Sequence, residues 1–176
     1  MSTAVLEQTL RSTLWGKGLR FWIAGGILLA VLLIDVIYFC VTHSDETFID
    51  SYRRRLRNGR YYKPKLSAKG YIFLEGVTLS AVLVWMCISL VPMHLDISRE
   101  QYIQADAIYS RTEESSEPDW FTNGCAYVEI DGEAIRVELP RGWTEEDFPL
   151  GDFSGTVWYG KQSKVLLAFY QNEMNN

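Results

Sequence analysis

The sequence has few of the side chains that catalytic and metal sites use most. It contains two histidines, His43 and His94, and three cysteines with no C-x-x-C spacing. The G-x-S-x-G, Walker, G-x-G-x-x-G and H-E-x-x-H patterns are all missing. These absences argue against the common hydrolase, nucleotide-binding and metalloprotease classes. We therefore expect a protein that is not an enzyme and that has no cofactor and no metal site.

The cysteines offer no disulfide to the polar part of the chain. Cys40 and Cys87 lie in apolar runs, and Cys125 is the one cysteine after residue 93. A nucleophilic pair of Cys125 with His94 is conceivable, but a small buried thiol is the commoner use of such a residue. The sequence predicts that Cys125 is structural.

Basic charge is scarce in the last part of the chain. Residues 94–176 hold six Lys and Arg against sixteen Asp and Glu. Such a surface repels phosphates, which excludes nucleic acid as a partner. Two acidic groups, residues 113–119 and 145–147, lack the D-x-D-x-D-G pattern of a calcium loop and are interpreted as solvated loops.

Two apolar runs, 21–42 and 71–93, are long enough to cross a membrane. About 20 apolar residues in a helix cover the ~30 Å hydrocarbon core. The first run is too long for a secretory signal and no small-x-small cleavage site follows it. Each run has one charge, Asp35 in the first and Glu75 in the second. They predict two transmembrane helices arranged as an antiparallel hairpin.

The loop between the runs, residues 43–70, is strongly basic. It holds eight Lys and Arg against three acids, whereas residues 1–20 hold three basic residues. Because short basic loops stay on the cytoplasmic side, both termini are predicted to lie in the periplasm of a bacterial inner membrane. A short amphipathic helix in this loop, with Phe48, Ile49 and Tyr52 on one face, would bind anionic lipid headgroups. The topogenic, headgroup-binding residues are Arg53, Arg54, Arg55, Arg57, Arg60, Lys63, Lys65 and Lys69.

Residues 1–20 have Leu6, Leu10 and Leu14 at helical spacing. Two interpretations remain open, an amphipathic helix on the membrane surface and a leader into the first transmembrane helix. Gly16 and Gly18 are expected to break this helix.

Asp35 and Glu75 form the sharpest site prediction. Counted from the cytoplasmic ends of antiparallel helices, they lie ~10 Å and ~6 Å deep in one leaflet. A carboxylate there is costly, so it faces protein or water. Three roles are open: pairing with a cation of a partner or of the chain itself, proton or ion movement, and simple snorkelling of Glu75.

Residues 94–176 are predicted to form a small β domain. Alternating patterns indicate strands at 101–111, 125–130, 133–139, 156–160 and 164–170. Asp131-Gly132 between two of them is a strong hairpin signal. The fold class is therefore α+β: two transmembrane helices followed by a five-stranded barrel of the OB or SH3 type.

Aromatic residues in the polar loops of this domain are candidates for a partner surface or for plugs at the ends of the barrel. They are Trp120, Phe121, Trp143, Phe148 and Phe153.

The leading function is a non-catalytic accessory or scaffolding subunit of a bacterial envelope complex, of the secretion or conjugative-transfer type. It would bind other envelope or membrane proteins and form homo- or hetero-oligomers. The alternatives are an immunity or exclusion protein and an ion- or proton-coupled element that uses Asp35 and Glu75.

Overall fold

The structure, a computed structural model, describes residues 2–43, 47–49, 51–52, 66–116 and 123–171. The elements whose bounds lie within these residues are two long helices, one short helix and five strands. In chain order these are α1 (Thr3–Thr42), α2 (Ala68–Arg99), β1 (Tyr102–Arg111), α3 (Glu113–Ser116), β2 (Cys125–Ile130), β3 (Glu133–Glu138), β4 (Gly151–Gly160) and β5 (Leu166–Gln171). The chain divides into two compact units, one of residues 1–20 with 86–176 and one of residues 21–85.

Both long helices are long and apolar enough, by length and composition, to cross a membrane. Each extends beyond its predicted bounds, since α1 begins at Thr3 and α2 ends at Arg99. The prediction that Gly16 breaks the first helix is wrong. A helical glycine costs about 1 kcal/mol relative to alanine, but a Cβ at Gly16 would overlap the Arg141 side chain. Gly16 thus lets the Arg141 side chain pack closely against α1. The helix also continues through Gly18.

In the unit of residues 21–85, α1 and α2 run antiparallel. The Phe21 and Trp85 rings meet edge to face with centroids 5.9 Å apart. Farther along α1, the Lys69 ammonium lies 5.8 Å from the centre of the Phe39 ring. Residues later in α1 thus meet residues earlier in α2.

The five strands form one antiparallel sheet in the order β3-β2-β1-β4-β5. This confirms the predicted number of strands, but the sheet does not close into a barrel. A single isolated parallel bridge joins Glu138 to Val165. After it the chain leaves the sheet at Pro140, which has no N–H to donate to a ladder. Gly142, at φ 78°, then turns the chain further, so the two edge strands separate.

The β2–β3 hairpin forms as the sequence predicts. Asp131 and Gly132 have φ of 53° and 81°, the left-handed conformations that a type I′ turn requires. By contrast, β4 begins at Gly151 rather than at Thr156. Its earlier start follows from pairing with β1 along the whole strand, from Tyr102 with Gly160 to Arg111 with Gly151.

The sheet has apolar contacts on both faces. One face carries the main core, in which Tyr109, Val128, Val137 and Val157 are fully buried. Because side chains alternate along a strand, neighbouring residues of β4 and β5 point to the other face. There they contact both long helices in a second cluster, which we call the helix–sheet joint. Its buried residues are Leu6, Leu10, Met93, Ile97, Val165, Leu167 and Ala168.

Leu10, in the segment of residues 1–20, is buried in the helix–sheet joint. Its side chain has no exposed surface, and Leu6 is nearly as buried. The apolar face of this segment therefore packs on protein.

Candidate functional site

The carboxyl groups of Asp35 and Glu75 meet in the unit of residues 21–85. They lie close enough to interact electrostatically. Asp35 is 3% exposed, and the Glu75 Oε2 atom is buried with no hydrogen-bond partner among the described residues. The two acids that the sequence places at similar depths are thus direct neighbours.

The residues that follow α1 also contact Asp35. The Phe48 backbone N–H donates to Asp35 Oδ1 at 3.1 Å, and the Phe48 ring packs edge to face on Tyr38 at 5.7 Å. Thr47 and Ser51 on either side of Phe48 are buried. Asp35 therefore receives a backbone donor from its own chain.

Most of the predicted headgroup-binding residues, Arg53 to Lys65, lie outside the described residues. Lys69 is described and lies over the Phe39 ring, a cation–π position. The lipid-binding role stays a prediction.

The aromatic candidates occupy different surroundings. Trp120 and Phe121 lie outside the described residues. Phe148 is 5% exposed and belongs to the main core, and Phe153 packs partly buried against that core. Burial assigns Phe148 to the core.

Trp143 is half-buried. Its indole N–H donates to the Asn123 carbonyl at 2.7 Å, and the Arg111 guanidinium lies 3.8 Å from the centre of its ring.

Asp96, near the end of α2, is the most strongly hydrogen-bonded side chain beside the helix–sheet joint. It is fully buried and accepts from the backbone N–H of Gln162 at 2.9 Å and of Ser163 at 2.8 Å. The Ser163 hydroxyl donates to it as well, at 2.7 Å. A Cβ at Gly160 would overlap Asp96. The carboxylate thus fixes the β4–β5 turn to the end of α2.

A polar face of α1 makes a second set of contacts with the β domain. The Lys17 ammonium and the Glu138 carboxylate form an ion pair at 2.5 Å, and both side chains are largely buried. The Thr13 hydroxyl accepts from the Arg141 N–H at 3.0 Å, and the Arg20 guanidinium donates to Asn123 at 2.7 Å. Because these α1 residues are spaced by four and three, they share one helix face.

Sequence reasoning missed Asp96 and Lys17. An Asp just after an apolar run and a Lys between two glycines are common in sequences and carry no distinctive spacing. Their partners lie 66 and 121 residues away, so local patterns do not identify them.

A groove of about 560 Å³ runs beside β5, between α1 and the segment that follows β3. We call it the β5 groove. Its lining residues are Gln8, Thr9 and Ser12 from α1, Pro140, Arg141, Gly142, Trp143, Glu146, Asp147 and Phe148 from the connecting segment, and Leu167, Ala168, Phe169 and Tyr170 from β5.

Among the described residues, no group of three His, Cys, Asp or Glu side chains is placed to hold a metal ion. His43 and His94 are both exposed, and Cys125 is buried. Burial raises the pKa of Tyr109 well above its usual range, and the Arg111 guanidinium partly opposes this. The phenol therefore stays protonated at physiological pH.

Comparison of the chain with protein-family models, with curated proteins and with solved structures found no match.

Proposed function

We propose that the chain is a non-catalytic, two-span accessory or scaffolding subunit of a bacterial envelope complex, of the secretion or conjugative-transfer type. Residues 21–42 and 71–93 cross the inner membrane. The β domain and the N-terminus lie in the periplasm, and the basic loop lies in the cytoplasm.

Membrane insertion is supported by the apolar surface of the two helices. Large apolar side chains there are between 43% and 75% exposed, which is costly in water and favourable in lipid. They are Trp22, Ile23, Ile27, Leu29, Leu33, Ile34, Ile37, Val41, Phe73, Leu74, Val77, Leu83, Val84, Trp85, Ile88 and Val91. The few polar groups in these stretches include Asp35, which is buried.

The observation that carries the scaffolding role is the helix–sheet joint. It packs Leu10 of α1 and Met93 of α2 against Leu167 of the β domain, and Asp96 adds hydrogen bonds to the β4–β5 turn. The domain is therefore held by the ends of both long helices rather than by one flexible linker. Such packing suits a protein that presents a binding surface to partners.

Purification tests this proposal. The tagged full-length chain, isolated in mild detergent from its native host, is expected to retain partner proteins in stoichiometric amounts. An unrelated two-span protein with the same tag and expression level serves as the control. A chain that elutes as a clean monomer, or that retains only what the control retains, contradicts the scaffolding role.

A second candidate, a proton-coupled element, is favoured by the proximity of the Asp35 and Glu75 carboxyl groups. Paired carboxyl groups share a proton because two adjacent charges are unfavourable in a medium of low dielectric constant. Intramembrane acids commonly mark proton and ion pathways.

A proton-flux assay in proteoliposomes distinguishes a proton-conducting role of Asp35 and Glu75 from a purely structural one. If the chain moves protons, the purified protein dissipates an imposed pH gradient, followed with an entrapped pH-sensitive dye. Asp35→Asn is then expected to slow the dissipation about tenfold. Equal rates for the unsubstituted chain, Asp35→Asn and empty liposomes reject proton movement.

A further inference from the structure

The β5 groove has the form of a site for strand addition. In the sheet order β5 is last, and it pairs with β4 alone from Gly155–Gln171 to Tyr159–Leu166. In an antiparallel ladder, alternate residues direct their N–H and C=O groups away from the neighbouring strand. Among the described residues, no strand pairs with the outward N–H and C=O groups of β5. The isolated bridge of Glu138 with Val165 lies just before β5 begins.

The lining of the groove shows that this free edge faces it. Four consecutive β5 residues, Leu167 to Tyr170, line the groove. The register shift at Trp158/Tyr159 leaves Leu167 without a partner on β4. Ala168, Phe169 and Tyr170 alternate between the two faces, so these three border one groove only if the main-chain edge lies along it. At ~3.3 Å per residue this edge is about 13 Å long.

The walls of the groove limit what it admits. Thr9 and Ser12 of α1 stand on one side, and Trp143 and Asp147 of the connecting segment stand on the other. A single extended peptide fits between them, since the volume lies within the ~300–1,000 Å³ range of ligand clefts.

The charges of the groove select a cationic peptide. Glu146 and Asp147 line it and are exposed. Arg141 is the one basic residue in the lining, and its side chain lies across Gly16 of α1. Asp147 is held in place by the Thr144 hydroxyl, which donates to it at 2.7 Å. Trp143 and Tyr170 add aromatic surface for apolar side chains.

We propose that the β5 groove binds an extended, lysine- or arginine-containing peptide segment of a partner protein, which pairs with β5 as an added strand. This names the class of partner for the scaffold described above and rests on that proposed function for its setting. The binding step itself depends only on the described residues of the β domain and α1.

The test uses the full-length chain in lipid nanodiscs and a fluorescein-labelled nonapeptide of alternating lysine and valine. Fluorescence anisotropy is expected to show saturable binding. Two further probes are matched to it. One is the same peptide with glutamate in place of lysine. The other is the same peptide N-methylated so that N–H groups are removed from both of its edges. The glutamate peptide is repelled by Glu146 and Asp147, and the N-methylated peptide lacks the N–H donors that strand pairing requires, so each is expected to bind at least about tenfold more weakly.

Two pairs of variants locate the site. Ser12→Trp fills the groove and is expected to weaken binding about tenfold, whereas Ser98→Trp, at an exposed helical serine outside the lining, leaves it within about twofold. Glu146→Lys is expected to weaken binding about fivefold, whereas Glu145→Lys, one residue outside the lining, has a smaller effect. Thermal unfolding of each variant checks that it is folded.

Several results overturn the proposal. They are failure of the lysine peptide to bind, equal binding of the N-methylated peptide, and binding that survives Ser12→Trp in a folded variant. Self-association of the chain that Ser12→Trp abolishes overturns it too, because the occupant is then a second copy. If the peptide binds but purification yields no stoichiometric partner, the scaffolding role fails and the groove assignment stands.

Discussion

Two residues, Asp96 of α2 and Tyr109 of β1, show opposite ways of burying a polar group. Asp96 is fully buried, and its carboxylate accepts from two backbone N–H groups and one hydroxyl. Tyr109 is equally buried, but its hydroxyl has no hydrogen-bond partner among the described residues. A buried polar group with partners stabilises the fold, whereas one without them costs about 1–3 kcal/mol.

Tyr109→Phe is therefore expected to raise the stability of the β domain by about 1 kcal/mol at pH 7. The ring remains stacked on Phe169, at 4.8 Å between centroids, so the substitution removes the hydroxyl and no packing. Thermal unfolding of the full chain in detergent measures this. A loss of stability would show that the hydroxyl is hydrogen-bonded, for instance to water.

Tyr109→Phe is also expected to change how the stability of the fold depends on alkaline pH. Burial raises the folded-state pKa of Tyr109 above the unfolded value of about 10. Above pH 10 the unfolded chain releases the proton while the folded chain keeps it, so stability falls as pH rises. Comparison of unfolding temperatures at pH 8 and pH 10.5 is expected to show a smaller drop for Tyr109→Phe than for the unsubstituted chain. Equal drops would contradict the assignment.

At the scale of secondary-structure elements, α1 is held to the β domain by both apolar and charged contacts. Leu6 and Leu10 enter the helix–sheet joint, and Lys17 pairs with Glu138 at 2.5 Å. The segment that a helical pattern marks as amphipathic is thus a structural part of the domain.

Lys17→Met is expected to destabilise the domain by about 3 kcal/mol, because it leaves the Glu138 carboxylate buried without its counter-ion. Adding Glu138→Leu to that variant is expected to restore most of the loss. The exposed pair of Glu7 and Arg11, 2.6 Å apart on one helix, supplies the control: Arg11→Ala changes stability by no more than about 0.5 kcal/mol. Chemical unfolding measures all four proteins. Equal effects of Lys17→Met and Arg11→Ala would show that burial adds nothing to the Lys17 pair.

At the scale of the whole molecule, the distribution of charge is the main feature. Basic residues are concentrated between the two apolar runs and acidic residues after them. If both runs span a membrane, this distribution orients the chain with the β domain outside.

A reporter fusion tests that orientation. Alkaline phosphatase, which is active only outside the cytoplasm, is expected to be active when fused after Asn176 and inactive when fused within the basic loop after Gly59. The reverse pattern, or activity at neither position, would overturn the topology and with it the periplasmic setting of the β domain.

Local and compositional features were predictable from the sequence. Asp131-Gly132 specifies its hairpin because both residues tolerate positive φ, and the apolar runs specify long helices because their length and hydropathy are properties of contiguous residues. The proximity of Asp35 and Glu75 follows from counting residues along antiparallel helices. Each inference depends on neighbours in the chain or on a fixed rise per residue.

Tertiary structure alone decided the open sheet, the burial of Leu10 and the carboxylate cap of Asp96. The sheet stays open because Pro140 and Gly142 lead the chain away from β5 after one bridge. Leu10, Lys17 and Asp96 acquire their roles from β-domain residues more than sixty positions away. The sequence by itself determined the elements and the distribution of charge, whereas packing of distant residues decided which faces are covered and which strand edge lies along a groove.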